Sequence, residues 1–166
     1  MPLYQRDISW TLQKCIDLLN YQLWGKAPVS PISINVINTV DSAVPQVSFI
    51  DREIISTIER GQYSVVDGQQ RLTTNYKAYC NHDDFRNIVL DLGKGEFTEV
   101  RDSIRSNQIP VGILLNKEDT KLFEYTKAKS ALGSADVLSV LLQVRSKMRN
   151  YNYTLNSAED LTEDEQ

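Results

Sequence analysis

Hydrophobic and polar positions follow two different periods along this chain, and each change of period marks an element. Leu12, Ile16, Leu19 and Leu23 recur at helical spacing, so they share one face. Ser9 or Thr11 can cap that helix and Gly25 ends it. In PISINVINTV, residues 31–40, the apolar Ile32, Ile34 and Val36 alternate with Ser33 and Asn35, as in a half-buried strand. A loop broken by Pro45 follows, and then Ile50, Ile54, Ile55 and Ile58 fall on one stripe stopped by Gly61. The stripe predicts a helix, although so isoleucine-rich a stretch suits a strand equally well. Residues 63–66, YSVV, read as a buried strand that Asp67-Gly68 breaks with a tight turn. From Gln69 the chain changes to good helix formers, with Leu72, Tyr76, Tyr79 and Cys80 expected on the apolar face.

The second half alternates less clearly. NIVLDL at 87–92 predicts a strand, the Gly93-Lys94-Gly95 sequence a turn, and IPVGILL at 109–115 another strand. Asn116 with Asp119 resembles a capping pair, ahead of a helix whose weak inner face is Leu122, Phe123 and Thr126, up to Gly133. Ser134 then caps a helix with Val137, Leu138, Leu141, Leu142, Val144 and Met148 inward. YNYTL at 151–155 predicts a last strand, and residues 156–166 are polar and acidic enough to be disordered when free.

Composition narrows the class. At 166 residues, 41% hydrophobic and 24% charged, the chain is long enough to bury one core of its own. No stretch approaches the ~20 apolar residues that cross a bilayer, and no signal-like leader opens the chain, which predicts a cytoplasmic protein without a membrane partner. The net charge of -4 is unevenly placed: five of the 22 acids lie at 159–165, so residues 1–158 carry 17 acids against 18 bases. A body this close to neutral lacks the basic balance of a dedicated nucleic-acid binder and the acidity of a nucleic-acid mimic. Cys15 and Cys80 both fall on predicted apolar helix faces, so buried free thiols are expected rather than a disulfide. Trp10 and Trp24 are expected at the core or its rim.

The candidate chemistry gathers at residues 63–81, YSVVDGQQRLTTNYKAYCN. A strand, a tight turn with glycine and then a helix aim backbone N–H groups and the positive end of the helix dipole at one point, which suits an anion. Arg71 adds a planar fork of donors, and Thr73 and Thr74 add hydroxyls for a phosphate oxygen or a metal-bound water. Elsewhere the signals are weak. Cys80, His82, Asp83 and Asp84 have metal-ligand residue types, but with one histidine and no second cysteine pair they read as a solvated helix end. The glycines at 93 and 95 lack the following G-K-[ST] of a phosphate loop and read as a hairpin or loop.

VVDGQQRLTT, with Asp67 to Thr74 matching throughout, resembles the signature of the N-terminal domain family of GmrSD-type restriction endonucleases, relatives of the ParB and sulfiredoxin superfamily. A second motif of that family, a proline, then Tyr-Gln-Arg, then a tryptophan, is matched by Pro2, Tyr4, Gln5, Arg6 and Trp10. Ile8 departs from the family's usual aromatic residue there. The resemblance implies an α+β fold: a ParB/sulfiredoxin-like small mixed sheet with flanking helices, followed by C-terminal packing helices. It divides the chain into a core at 1–115 with both motifs, a helical extension at 116–155 and an acidic tail at 156–166. It also implies that the strands at Ile32 and Val65 lie side by side, gathering Gln5, Arg6, Asp67 and Arg71. Read from its neighbours alone, Arg6 fits a phosphate-binding cation or an arginine laid over Trp10 or paired with Asp7.

The function implied is binding of a nucleoside triphosphate with Mg²⁺, with or without its hydrolysis, in a DNA-defence setting. Asp67 and Arg71 would be catalytic, and Gln5, Arg6, Gly68, Gln69, Gln70, Arg71, Thr73 and Thr74 would bind the nucleotide, with no metal bound by the protein alone. The family site also draws on a later helix with a Phe-x-Arg-x-Asn pattern, which would begin just beyond Gln166, so weakened hydrolysis is expected. The alternative is an interaction protein of a phage or mobile element that inhibits or regulates a bacterial defence protein without catalysis. A homo-oligomer and a protein partner in a defence or counter-defence system fit either reading. A stand-alone nuclease fits least, for want of a recognisable metal cluster and a basic balance, and histidine-dependent cleavage is not expected, since His82, the one histidine, lies outside any motif.

Overall fold

Thr11 begins the first helix as the pattern requires: its Oγ1 accepts from the Lys14 N–H at 3.3 Å, satisfying one first-turn donor. The helix, α1, spans Leu12–Leu23, and Gly25 follows at φ +68. The computed structural model describes residues 1–2, 10–27, 30–162 and 164–165. Tyr4, Gln5 and Arg6 of the second motif, and the alternative cap Ser9, lie outside the described residues. The remaining elements are β1 (Ile32–Ile37), β2 (Gln62–Asp67), α2 (Gln69–Tyr79), β3 (Ile88–Asp91), β4 (Glu96–Glu99), β5 (Gln108–Pro110), α3 (Val111–Leu114), α4 (Asp119–Lys127), α5 (Ala135–Arg149) and β6 (Leu155–Glu159). The fold is mixed α+β, with two three-stranded sheets ordered β2-β1-β6 and β4-β3-β5.

The chain divides into two compact units, residues 1–9, 29–73 and 152–166 in one and residues 10–28 and 74–151 in the other. In the first, β1 pairs antiparallel with β2 and parallel with β6. Ile34 faces Val65, so the two strands implied by the resemblance are neighbours, with a bulge between Ser33 and Ile34. Residues 1–2 join this unit through Met1 and Val47, which exchange backbone hydrogen bonds at 2.7 and 3.0 Å. Its interior is partly polar. Asn35, Gln46 and Ser64 are buried, but each is bonded: Ser64 Oγ donates to Gln46 Oε1 at 2.7 Å, Gln46 Nε2 to the Val44 carbonyl at 2.8 Å, and Leu161 N to Asn35 Oδ1 at 3.1 Å. These hydrogen bonds offset the desolvation penalty of the buried groups. The alternation in β1 therefore does not sort simply into apolar inside and polar outside, since Asn35 is buried while Ile34 and Val36 are half-buried.

The second unit holds the main hydrophobic cluster, built from α1 (Ile16, Leu19), the sheet (Ile88, Leu90, Phe97, Ile109) and the helices behind it (Leu122, Leu141, Met148). Trp10 packs against it. Asn20 of α1 clamps the sheet's edge: its Nδ2 donates to the Phe97 carbonyl at 2.9 Å and its Oδ1 accepts from the Phe97 N–H at 2.6 Å. The Gly93-Lys94-Gly95 sequence is the turn of the β3–β4 hairpin. Ser134 caps α5 through the Val137 N–H.

Several expectations are corrected, among them the inward placing of Phe123 and Leu142, which are exposed. Residues 50–58 form no helix; Val47 and Ile54 make an isolated antiparallel bridge, Ser48 Oγ accepts from Glu53 N, and Ile54 is 72% exposed. Arg52 at φ +57 turns the chain there, and β-branched residues favour the extended form on either side. Residues 109–115 split at Pro110, which ends β5 and is the cap of α3, because proline cannot donate to a continuing ladder. The last strand is shifted from 151–155 to Leu155–Glu159, so that all but Leu155 of it falls in the stretch read as disordered; Asp160 fixes it by accepting from the Asn38 and Thr39 N–H groups at 2.8 and 2.9 Å. Both cysteines are free, but only Cys15 is buried, because α2 ends at Tyr79 and leaves Cys80 exposed beyond it.

Candidate functional site: the turn between β2 and α2

Asp67 closes β2 and Gln69 opens α2, so one residue, Gly68, carries the whole change of direction. It sits at φ +84, a conformation that favours glycine. Space demands glycine as well: a Cβ there would lie 2.9 Å from Ile32 Cγ1, 3.0 Å from Arg71 Nη2 and 3.3 Å from Ile32 Cα. The turn is thus pressed against the start of β1. The first backbone bond of α2 runs from Leu72 N to the Gly68 carbonyl at 3.1 Å, and donors of the turn before it have no acceptor within the helix.

Arg71 is the second feature. Its guanidinium is buried, with the residue 7% exposed. Nη1 donates to the Ser30 carbonyl and Nη2 to the Pro31 carbonyl, the latter at 2.8 Å. The guanidinium carbon lies 5.7 Å from the centre of the Tyr153 ring, within cation–π range. Asp67 Oδ2 is 3.9 Å from Arg71 Nη2, while the Asp67 side chain is 73% exposed. A desolvated cation therefore sits beneath the turn and a hydrated carboxylate at its mouth.

The other predicted residues divide. Gln69 and Gln70 are half-buried in the first turn, and Gln69 Nε2 reaches back to the Val65 carbonyl at 3.5 Å. Thr73 is half-buried. Thr74 is buried in the second unit, where its hydroxyl donates to Cys15 Sγ at 3.4 Å. The buried face of α2 is Arg71, Thr74 and Ala78, with Tyr76 50% exposed; the face expected from Leu72, Tyr76, Tyr79 and Cys80 is rotated from the one observed. Gln5 and Arg6 lie outside the described residues.

Sequence reading missed the groups that hold Arg71. Ser30 and Pro31 contribute carbonyls rather than side chains, and the available signal was the proline itself, which drives the preceding residue into an extended form. Tyr153 gave no local signal; it approaches because β6 runs beside β1.

No curated protein matches the chain in a similarity search. The family described as the GmrSD restriction endonuclease N-terminal domain matches residues 1–165. With that match spanning the turn, the buried arginine and both sheets, the chain belongs to the GmrSD N-terminal domain family and is linked to GmrSD-type defence systems.

Proposed function

We propose that this domain binds a nucleoside triphosphate with Mg²⁺ at the β2–α2 turn. The observation that carries the reading is an exposed carboxylate 3.9 Å from a buried guanidinium, across a glycine that admits no side chain. In this reading the phosphate oxygens meet the backbone of Gly68, Gln69 and Gln70, where the α2 dipole favours negative charge. Arg71 adds positive potential from below without having to reorganise, since its fork is already held by the Ser30 and Pro31 carbonyls. Thr73 offers a hydroxyl from the half-buried first turn. The family motif would add Gln5 and Arg6, which lie outside the described residues, to the nucleotide-binding set. Thr74 takes no part, because its hydroxyl is committed to Cys15.

Asp67 would hold Mg²⁺, without which its charge would repel the phosphates. Phosphoryl transfer is catalysed largely by positioning and charge compensation. Hydrolysis would then require Asp67, or water on its Mg²⁺, to orient the attacking water.

Isothermal calorimetry with the four nucleoside triphosphates and Mg²⁺ tests the reading. Binding heat with at least one nucleotide, lost on chelation of Mg²⁺ and weakened in Asp67→Asn, is the expected result. Asp67 is exposed enough for that variant to fold. Absence of heat with all four nucleotides overturns the reading.

The burial of Arg71 favours a second reading. A guanidinium spent on backbone carbonyls also serves a domain that acts only by binding another protein, with the motif preserving its shape. A partner captured equally by wild type and Asp67→Asn, in the absence of nucleotide, would support it.

A further inference from the structure

A separate groove lies wholly within the second unit, between α1 and the edge strand β4, with a volume of about 310 Å³. Its α1 wall is the outward stripe of Gln13, Asp17, Tyr21 and Trp24, and its β4 wall includes Glu96 and Glu99. Tyr21 is 45% and Trp24 46% exposed. Their rings pack edge to face, with centroids 6.3 Å apart and planes at 76°. Asp17 Oδ1 accepts from Gln13 Nε2 at 2.8 Å. Among the described residues no lysine, arginine or histidine lines the groove, and none of its carboxylates joins an ion pair.

These groups have a common complement. Uncompensated carboxylates attract a cation, and a guanidinium meets them through paired N–H donors. The faces of tryptophan and tyrosine attract the same cation, arginine more readily than lysine. A free metal ion fits poorly, since no set of three potential ligands converges among the described residues. Addition of a strand to β4 is also blocked at its middle, because Asn20 already occupies both the N–H and the carbonyl of Phe97. Recognition here runs through inserted side chains.

We propose that this groove binds an arginine-bearing basic segment of a partner protein, with its guanidinium groups between the carboxylates of Asp17, Glu96 and Glu99 and the rings of Tyr21 and Trp24. The proposal does not depend on nucleotide binding, since no residue of the groove belongs to the β2–α2 turn.

The test is fluorescence anisotropy of a fluorescein-labelled tetra-arginine amide titrated with the whole chain. Saturable binding is expected, and Glu96→Gln/Glu99→Gln and Trp24→Ala should each weaken it by roughly tenfold, the size of losing one good charged or stacked contact. Asp102→Asn/Glu124→Gln removes the same charge from exposed positions outside the groove and should leave binding within about twofold. Circular dichroism confirms that each variant is folded. Absence of binding, or equal weakening by the charge-matched control, overturns the proposal by reducing the effect to general surface charge. Tighter binding of spermine than of tetra-arginine also overturns it, by assigning the groove to a free polyamine.

Discussion

Arg71 donates to two backbone carbonyls before it meets any ligand, so its removal has two separable effects. Arg71→Ala leaves the Ser30 and Pro31 carbonyls without their donor and should cost about 1–3 kcal/mol of stability. Arg71→Lys keeps the charge but loses the fork, and should fall between wild type and alanine in a urea titration. A loss within error for Arg71→Ala would show that the clamp contributes nothing to the fold. At this scale the sequence was informative about chemistry but not about direction. Asp67, Gly68 and Arg71 were identifiable from residue type and spacing, and they do come together. Thr73 and Thr74 looked equivalent, yet one remains near the surface while the other faces Cys15. Adjacent helical residues point about 100° apart, and only packing decides which is turned inward.

Among elements, the β3–β4 hairpin shows how a turn is held by charge. Asp91 ends β3 and is buried; its carboxylate accepts from Gln108 Nε2 at 2.8 Å and from the Gly93 and Lys94 N–H groups at 2.9 and 3.1 Å. Hydrogen bonding, first from Gln108, holds its pKa below the ordinary aspartate value despite burial. A depressed pKa in the folded state means that the stabilisation is full above the unfolded value and is lost as pH falls through the folded one. Urea midpoints should therefore drop for wild type below about pH 4, the ordinary aspartate range, and drop less for Asp91→Asn, which starts less stable at neutral pH. Parallel curves would reject the assignment. Elements with strong local signals were legible: α1 from its four-three-four spacing and Thr11, α5 from Ser134, and β2 from its β-branched run. Residues 50–58 misled because an isoleucine stripe satisfies helical spacing while its side chains prefer extended backbone. β6 is displaced from its predicted place for a different reason. Its residues Leu155–Glu159 have little strand character, and they form a strand only because β1 offers a ladder.

At the scale of the whole molecule, neither compact unit is a continuous piece of chain. The family match at 1–165 covers both, which local patterns had no means of dividing. Pairing of β1 with β6 joins residues far apart in sequence, and the Asn38 and Thr39 bonds to Asp160 span 122 and 121 residues. Asp160→Ala should accordingly raise hydrogen exchange at Asn38, Thr39 and along β6, leaving the amides of α5 protected; uniform acceleration throughout would contradict this division. The same pairing bears on synthesis. The ribosome makes β1 well before its parallel neighbour, so the growing polypeptide carries a half-built sheet with a bare margin until β6 emerges. That interval is when a chaperone, or a wrong strand from a neighbouring nascent chain, has its opportunity to bind.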